Sequence, residues 1–322
     1  MTLTYVVREG PQTRVDHILV AGTARTSPDL VRREITLRPG GPLGYDAIIE
    51  SQQKLSALGL YRRVRITEAP HGLDDTARDV LVELEEAPAT GVSYGGGLEV
   101  GRRPRIGDDG IATDRFDIAP RGFFEVTRRN LWGKNRSLSA LTSVSLRPTD
   151  PGVDAAPDEK GGYGLNQYRV VGTFREPRAF GTAGDAQVSA FLERGIRSSF
   201  NFDRQGVRAE YARRFGNRLT MLGRYTYDFT TLFDTKIAVE DRLLIDRLFP
   251  QVHLASIFGS VLRDSRDDVL DPERGMVLGT DLELALRSLS SEVGFAKSFV
   301  QTFLYKRLPL SLIHISEPTR PY

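Results

Sequence analysis

Leu219-Thr220-Met221-Leu222-Gly223-Arg224-Tyr225-Thr226-Tyr227-Asp228-Phe229 carries its bulky apolar residues at alternate positions. Leu219, Met221, Tyr225, Tyr227 and Phe229 share one side with Gly223, while Thr220, Leu222, Arg224, Thr226 and Asp228 share the other. A period of two is the signature of a β-strand. The same alternation recurs outward in both directions. Leu278, Thr280, Leu282, Leu284 and Leu286 oppose Val277, Gly279, Asp281, Glu283 and Ala285. Leu138, Ala140, Thr142, Val144 and Leu146 oppose Ser139, Leu141, Ser143 and Ser145, and Val92, Tyr94, Leu98 and Val100 oppose Ser93, Gly95, Gly97 and Glu99. About ten such segments lie between Ala89 and Leu308.

These runs extend over about 10–14 residues, longer than the usual 5–6 of a soluble sheet. That length suits a tilted strand crossing a bilayer. Aromatic residues near several strand ends fit the interfacial girdles of a membrane barrel. A soluble sandwich also alternates, with its charged face turned to water, so on pattern alone both readings stay open.

Composition narrows the field. The 322 residues are 27% charged and 40% hydrophobic, with a mean hydropathy of −0.29. No stretch approaches the roughly 18 apolar residues of a membrane helix, which leaves a strand-built barrel untouched. The absence of cysteine excludes disulfides and thiolate sites. A net charge of +2 gives no global electrostatic support for nucleic-acid binding. Met1 to Gly10 lacks the basic start and apolar core of a secretory leader. It reads as a strand, Leu3 to Val7, then Glu9-Gly10-Pro11, as if a domain began upstream.

The first ninety residues follow another pattern. A β-rich run from Arg14 to Ala21 ends at Gly22. Ser27 offers an N-cap with Pro28 at the first helical position, and the helix carries Leu30, Val31, Glu34 and Ile35. Pro39-Gly40-Gly41-Pro42 breaks it, and a second helix is expected from Tyr45 to Leu58 with Gly59 at its C-terminal cap. Two strands, Tyr61 to Glu68 and Asp79 to Glu86, are expected to flank a polar turn from His71 to Arg78. The order strand, helix, helix, strand, strand can bury one small core, two helices on a three-stranded sheet.

Val15…Ile18…Val20…Gly22, followed by Ser51-Gln52-Gln53-Lys54-Leu55…Leu58-Gly59-Leu60-Tyr61-Arg62-Arg63-Val64, resembles a POTRA domain of the Omp85 superfamily. Asn130-Leu131-Trp132-Gly133-Lys134-Asn135 resembles the turn after the second barrel strand of that family. Phe174-Arg175-Glu176-Pro177-Arg178-Ala179-Phe180-Gly181-Thr182 resembles the turn between its fourth and fifth strands. Arg263-Asp264-Ser265-Arg266-Asp267-Asp268-Val269-Leu270-Asp271-Pro272-Glu273-Arg274-Gly275 is similar to the hairpin before a long strand in barrels of the BamA and TamA type.

The resemblance implies an α+β POTRA domain over residues 12–88, preceded by the end of another POTRA over 1–11. It implies that 89–309 form the N-terminal part of an antiparallel membrane β-barrel, about ten of the family's sixteen strands. Leu310-Ser311-Leu312-Ile313-His314-Ile315-Ser316-Glu317-Pro318-Thr319-Arg320 abandons the alternation, and 310–322 read as a sequencing-adapter artefact. Arg121-Gly122-Phe123 spells a family surface-loop motif but is expected at the start of the second barrel strand, beside a loop from Arg102 to Pro120, so no role is transferred.

In function, the resemblance implies assembly or insertion of outer-membrane proteins, with the barrel in the bacterial outer membrane and the POTRA in the periplasm. Its partners would be unfolded outer-membrane clients, outer-membrane lipids, and periplasmic or inner-membrane assembly proteins reached through the POTRA. Two candidate edges for client strands follow: the second POTRA strand with Tyr61, Val64 and Ile66, and the first barrel strand with Val92, Gly95, Gly96, Gly97 and Leu98. Gly59, Trp132, Gly133, Glu176, Pro177, Asp264, Arg266, Asp267, Asp271, Pro272 and Gly275 are the motif residues with structural roles. Neither an enzyme nor a cofactor is expected. His17, His71, His253 and His314 show no ligand spacing, and the aspartates of the 263–275 motif lack a calcium loop's pattern. A two-partner-secretion-type export pore and a soluble β-rich binding domain are the alternatives.

Overall fold

The computed structural model describes residues 12–71, 74–106, 112–148, 163–196, 201–233 and 253–307. The strand expected at Leu3 to Val7 and the tail from Leu310 lie outside the described residues. The chain divides into two compact units, one of Met1–Gly95, Phe123–Leu141 and Thr173–Glu176, the other of the remaining segments.

The first unit contains β1 (Arg14–Ala21), α1 (Pro28–Glu34), α2 (Tyr45–Ala57), β2 (Tyr61–His71) and β3 (Asp74–Glu86). The sheet order is β1-β3-β2, with β1 parallel and β2 antiparallel to the central β3. Alternation in β3 sends Val80, Val82 and Leu84 into a core with Val15, Val31, Ile35, Leu37, Ile48, Leu55 and Val64. Ser51 is fully buried there, and its hydroxyl donates to Ala47 O at 2.7 Å and accepts from the Thr36 N–H at 3.0 Å. That pairing removes the cost of burying a hydroxyl among apolar side chains.

Three boundaries differ from expectation. α1 ends at Glu34, because Ile35 turns to extended backbone (φ −82°, ψ 124°) and drops into the core. α2 ends at Ala57, and Gly59 follows at φ +66°. The polar turn expected between His71 and Arg78 is largely strand, since Pro70 pairs Arg78 and Ala69 pairs Asp79. Backbone pairing needs no apolar side chain, so polar residues hid the strands' true length.

The second architecture is a sheet of ten consecutive strands: β4 (Thr90–Ile106), β5 (Ala112–Leu131), β6 (Arg136–Pro148), β7 (Tyr163–Glu176), β8 (Gly184–Ile196), β9 (Asn201–Phe215), β10 (Leu219–Phe233), β11 (His253–Asp264), β12 (Arg274–Ala285) and β13 (Phe295–Lys306). Each pairs with its chain neighbour, leaving β4 and β13 at the two ends. Twelve residues, the shortest of these strands, reach about 40 Å, enough to cross a hydrocarbon layer at a tilt. Arg121-Gly122-Phe123 lies inside β5, not at a strand start, and the loop expected from Arg102 to Pro120 is largely replaced by the outer ends of β4 and β5.

Register explains the alternation. Val188, Ala209, Tyr225, Ile257, Leu284 and Ala296 stand in one row across β8 to β13. The neighbouring row on the other face runs Gln187, Glu210, Arg224, Phe258, Glu283 and Lys297. Val188, Tyr225 and Ile257 are 46%, 38% and 45% exposed. On the polar face Asp228 is 3% exposed and pairs with Arg204. Bare apolar side chains on one face, with Asp228 covered and Glu210, Arg224 and Glu283 half-buried on the other, is the arrangement lipid demands and water opposes.

Candidate functional site

Two strand edges carry the site. In the first unit β2 has a partner, β3, on one side only among the described strands. Val64 is buried and Ile66 packs against the core, so neither side chain is offered to a ligand. What β2 presents is backbone, flanked by the exposed Arg62, Arg63 and Arg65. One acceptor is already taken, because Gln52 of α2 donates its side-chain amide to Val64 O at 3.2 Å. The Tyr61 hydroxyl lies buried near Glu86, and burial pushes its pKa upward.

The second edge is β4, paired only to β5 among the described strands. Val92, Tyr94, Leu98 and Val100 are exposed on its apolar face. On the opposite face, positions 91 to 101 read Gly91, Ser93, Gly95, Gly97, Glu99 and Gly101. The glycines are not equivalent. A Cβ on Gly95 would sit 2.6 Å from the Phe123 ring of β5, whereas one on Gly97 would meet nothing within 4 Å, and one on Gly96 would lie 3.2 Å from Arg121 O. Phe123 therefore fills the space that a side chain at 95 would occupy.

The motif turns are built as follows. Between β5 and β6, Asn130, Trp132, Gly133 and Asn135 all adopt positive φ, between 55° and 69°. Gly133 has no alternative: a Cβ would come within 2.7 Å of Arg25 O and 2.9 Å of the Ser27 nitrogen. The Ser27 N–H donates to Gly133 O at 3.0 Å, and its hydroxyl makes no helix cap, against the expected role. Trp132 is exposed, with Arg136 over its ring at 5.4 Å and Phe174 at 6.5 Å. Arg136 also holds Glu176 at 3.1 Å through Nε, next to Pro177 at the end of β7.

Between β11 and β12, Asp264 takes the Arg266 guanidinium through both oxygens, and Asp267 Oδ1 accepts the N–H groups of Asp268, Glu273 and Arg274 at 3.0–3.1 Å. The N–H of Arg274 foremost holds the Asp267 carboxyl below the usual carboxylate range. Asp268 Oδ1 accepts from Leu270 and Asp271, which precedes Pro272, and Gly275 follows at φ +120°. These carboxylates are occupied by their own turn.

Residues missed in the sequence join the POTRA helix start to that first turn. The Glu86 carboxylate accepts the Arg25 and Thr26 N–H groups at 3.0 and 2.8 Å, the Thr26 hydroxyl at 2.7 Å, and Arg25 Nε at 3.0 Å. Burial alone would raise its pKa, but the Thr26 and Arg25 hydrogen bonds prevail and hold it at about 2. Asn130 Nδ2 donates to Thr26 Oγ1 at 2.8 Å, and Arg129 N–H to Ala89 O at 2.6 Å. Positions 26, 86 and 130 have no shared motif to betray them. Elsewhere a register shift between Val15 and Ile18 sets Asp16 and His17 both near Asp79, with His17 Nδ1 2.9 Å from Asp16 and 3.3 Å from Asp79, His17 exposed and both aspartates half-buried.

The family described as Omp85 superfamily domain matches residues 130–312, and the POTRA, described as surface antigen variable number repeat, matches 13–87. Among solved structures, BamA from Haemophilus ducreyi lacking POTRA domains 1–3 is similar at TM-score 0.61 and 14% identity, over 91% of this chain and 52% of that one. CdiB from Acinetobacter baumannii gives TM-score 0.47 at 11% identity, over 88% and 46% of the two chains. CdiB from Escherichia coli gives 0.39 at 10% identity, over 94% and 66%. Curated proteins yield no significant match. The chain spans about half the length of the BamA structure it resembles. Family members are non-enzymatic membrane assembly or transport pores, with a barrel in the bacterial outer membrane and POTRA in the periplasm. With more than half its length matched, the chain belongs to the Omp85 superfamily, as a POTRA domain followed by outer-membrane barrel strands.

Proposed function

We propose that this protein assembles other outer-membrane proteins, with β2 of the POTRA receiving extended client segments and β4 templating their insertion. An unfolded client strand carries unpaired N–H and C=O groups that lipid cannot satisfy, at several kcal/mol each. A free strand edge supplies partners for those groups without reading sequence, which suits many clients. The observation that carries this reading is β4, paired only to β5 among the described strands, with an exposed apolar face and an opposite face bare but for Ser93 and Glu99. Outer-membrane lipids and periplasmic or inner-membrane assembly proteins are the further partners proposed.

The test uses cysteine, which the chain lacks. Cysteines at Val92 or Leu98, in the protein in its native outer membrane, should form disulfides with a cysteine-bearing client strand stalled during insertion. Cysteines at Tyr225 or Leu282 should not. Equal crosslinking at all four positions would instead favour export through the interior, as in a two-partner-secretion pore.

A further inference from the structure

We propose that Glu99 is the positioning residue that pins β4 to the rest of the sheet, and so sets how far that strand can peel away. The inference rests on the reading of β4 as the strand that meets clients.

Over positions 91 to 101, the polar face of β4 carries side chains only at Ser93 and Glu99; the others are glycine. Glu99 is thus the one ionic anchor on that stretch. Two arginines from successive strands converge on it. Arg147 of β6 places Nη2 2.6 Å from Glu99 Oε1, and Arg121 of β5 places Nη1 3.5 Å from Oε2. The Arg147 side chain is 10% exposed and also donates Nε to Gln167 Oε1 of β7 at 2.6 Å. One carboxylate therefore links β4 to three further strands.

The two arginines differ in what they lose without it. Arg121 is 55% exposed and can turn to solvent. Arg147 is nearly buried, so removing the Glu99 charge from beside it costs more than at Arg121, because little water can take its place. The glycines on the N-terminal side of Glu99 offer no substitute contact, apart from the Phe123 ring against Gly95. Between Glu99 and Thr90, whose hydroxyl accepts from Arg128 Nη1 at 2.8 Å, β4 is therefore held weakly, a glycine-rich stretch that can part from its neighbours up to those two stops.

Amide hydrogen exchange of the protein in lipid vesicles tests this without any client. E99Q should speed exchange of the β4 amides roughly tenfold while leaving β9 and β10 unchanged. E99D, which keeps the charge, should fall between. E210Q, which breaks the equivalent Arg224 pair at 2.7 Å, should not reach β4. Should E99Q fail to fold, the exchanged pair E99R/R147E carries the test, by restoring protection of β4. Unchanged β4 exchange in E99Q, or acceleration spread evenly across the sheet, would overturn the proposal. Client crosslinking at Val92 reports separately: a loosened β4 that captures no client leaves the pin standing and removes the assembly reading.

Discussion

Asn130 donates its side-chain amide to the Thr26 hydroxyl across 104 residues of chain, and that hydroxyl is in turn a donor to Glu86. A hydroxyl that donates its one proton to one partner while accepting from another orients both. Asn130→Ala should remove the hydrogen bond to Thr26 and the one that Asn130 Oδ1 accepts from the Asn135 N–H at 3.1 Å, and cost about 2 kcal/mol. Faster proteolysis after Arg128 or Arg129, with barrel strands β8 to β12 unaffected, is the expected reading.

Glu86 should make the POTRA acid-sensitive. Its folded pKa, about 2, lies below the ordinary carboxylate value of 4.5, so the stabilisation is complete above 4.5 and is lost as pH falls toward 2. The size, allowing for solvent screening, is on the order of 1 kcal/mol. The gap in thermal melts between residues 12–88 and the same segment carrying E86Q should therefore narrow by about half from pH 6 to pH 3. A constant gap between the two proteins across that window would count against the role assigned to Glu86.

The ten strands were legible because alternation survives in every one of them, as in Leu219 to Phe229. Pairing partners are not encoded by a period of two. Phe123 packing on Gly95 depends on register between β4 and β5, which a single sequence does not display. Arg121-Gly122-Phe123 reads as the start of a strand, yet β5 begins at Ala112, since neighbouring strands supply the backbone partners that the polar residues before Arg121 do not advertise. Glu86 was visible only as the last residue of a strand; its partners Arg25 and Thr26 come from a loop, and Asn130, which holds Thr26, from a turn far along the chain.

Residues 12–88 should fold alone as a soluble monomer, for they bury their own core and cap Ser51. Residues 89–307 should not, because Tyr225, Ile257 and Leu282 leave an apolar face to water and two strand edges stay open. A monomeric, cooperatively melting 89–307 fragment without detergent would contradict the membrane assignment of its exposed face.

Gln52 should act as a guard on the POTRA edge, since it holds Val64 O at 3.2 Å. Gln52→Ala should free that carbonyl and strengthen pairing of an extended peptide with β2. A gain of a few-fold corresponds to less than 1 kcal/mol, the usual worth of one exposed hydrogen bond. NMR titration of residues 12–88 with a barrel-derived β-strand peptide would report it through the amides of β2. Shifts on β1 instead would assign the binding edge to the other side of the sheet.

The glycines of β4 give the sharpest contrast. Gly97→Val meets open space and raises strand propensity, so it should stiffen β4 by up to about 1 kcal/mol. Gly95→Val drives a side chain into the Phe123 ring, which lies 2.6 Å from the added Cβ, and should loosen the β4–β5 pairing instead. The two substitutions are chemically identical and two residues apart on one face, so general strand propensity predicts the same sign for both. Their opposite effects would therefore isolate the packing of Phe123. Shortening that ring should reverse the second: Gly95→Val with Phe123→Ala should regain the β4 protection that Gly95→Val alone loses. Amide exchange over residues 90–101 in vesicles reads all three variants. Equal stiffening by both single substitutions would show that Phe123 swings aside freely, and that the glycines of β4 serve flexibility and not fit.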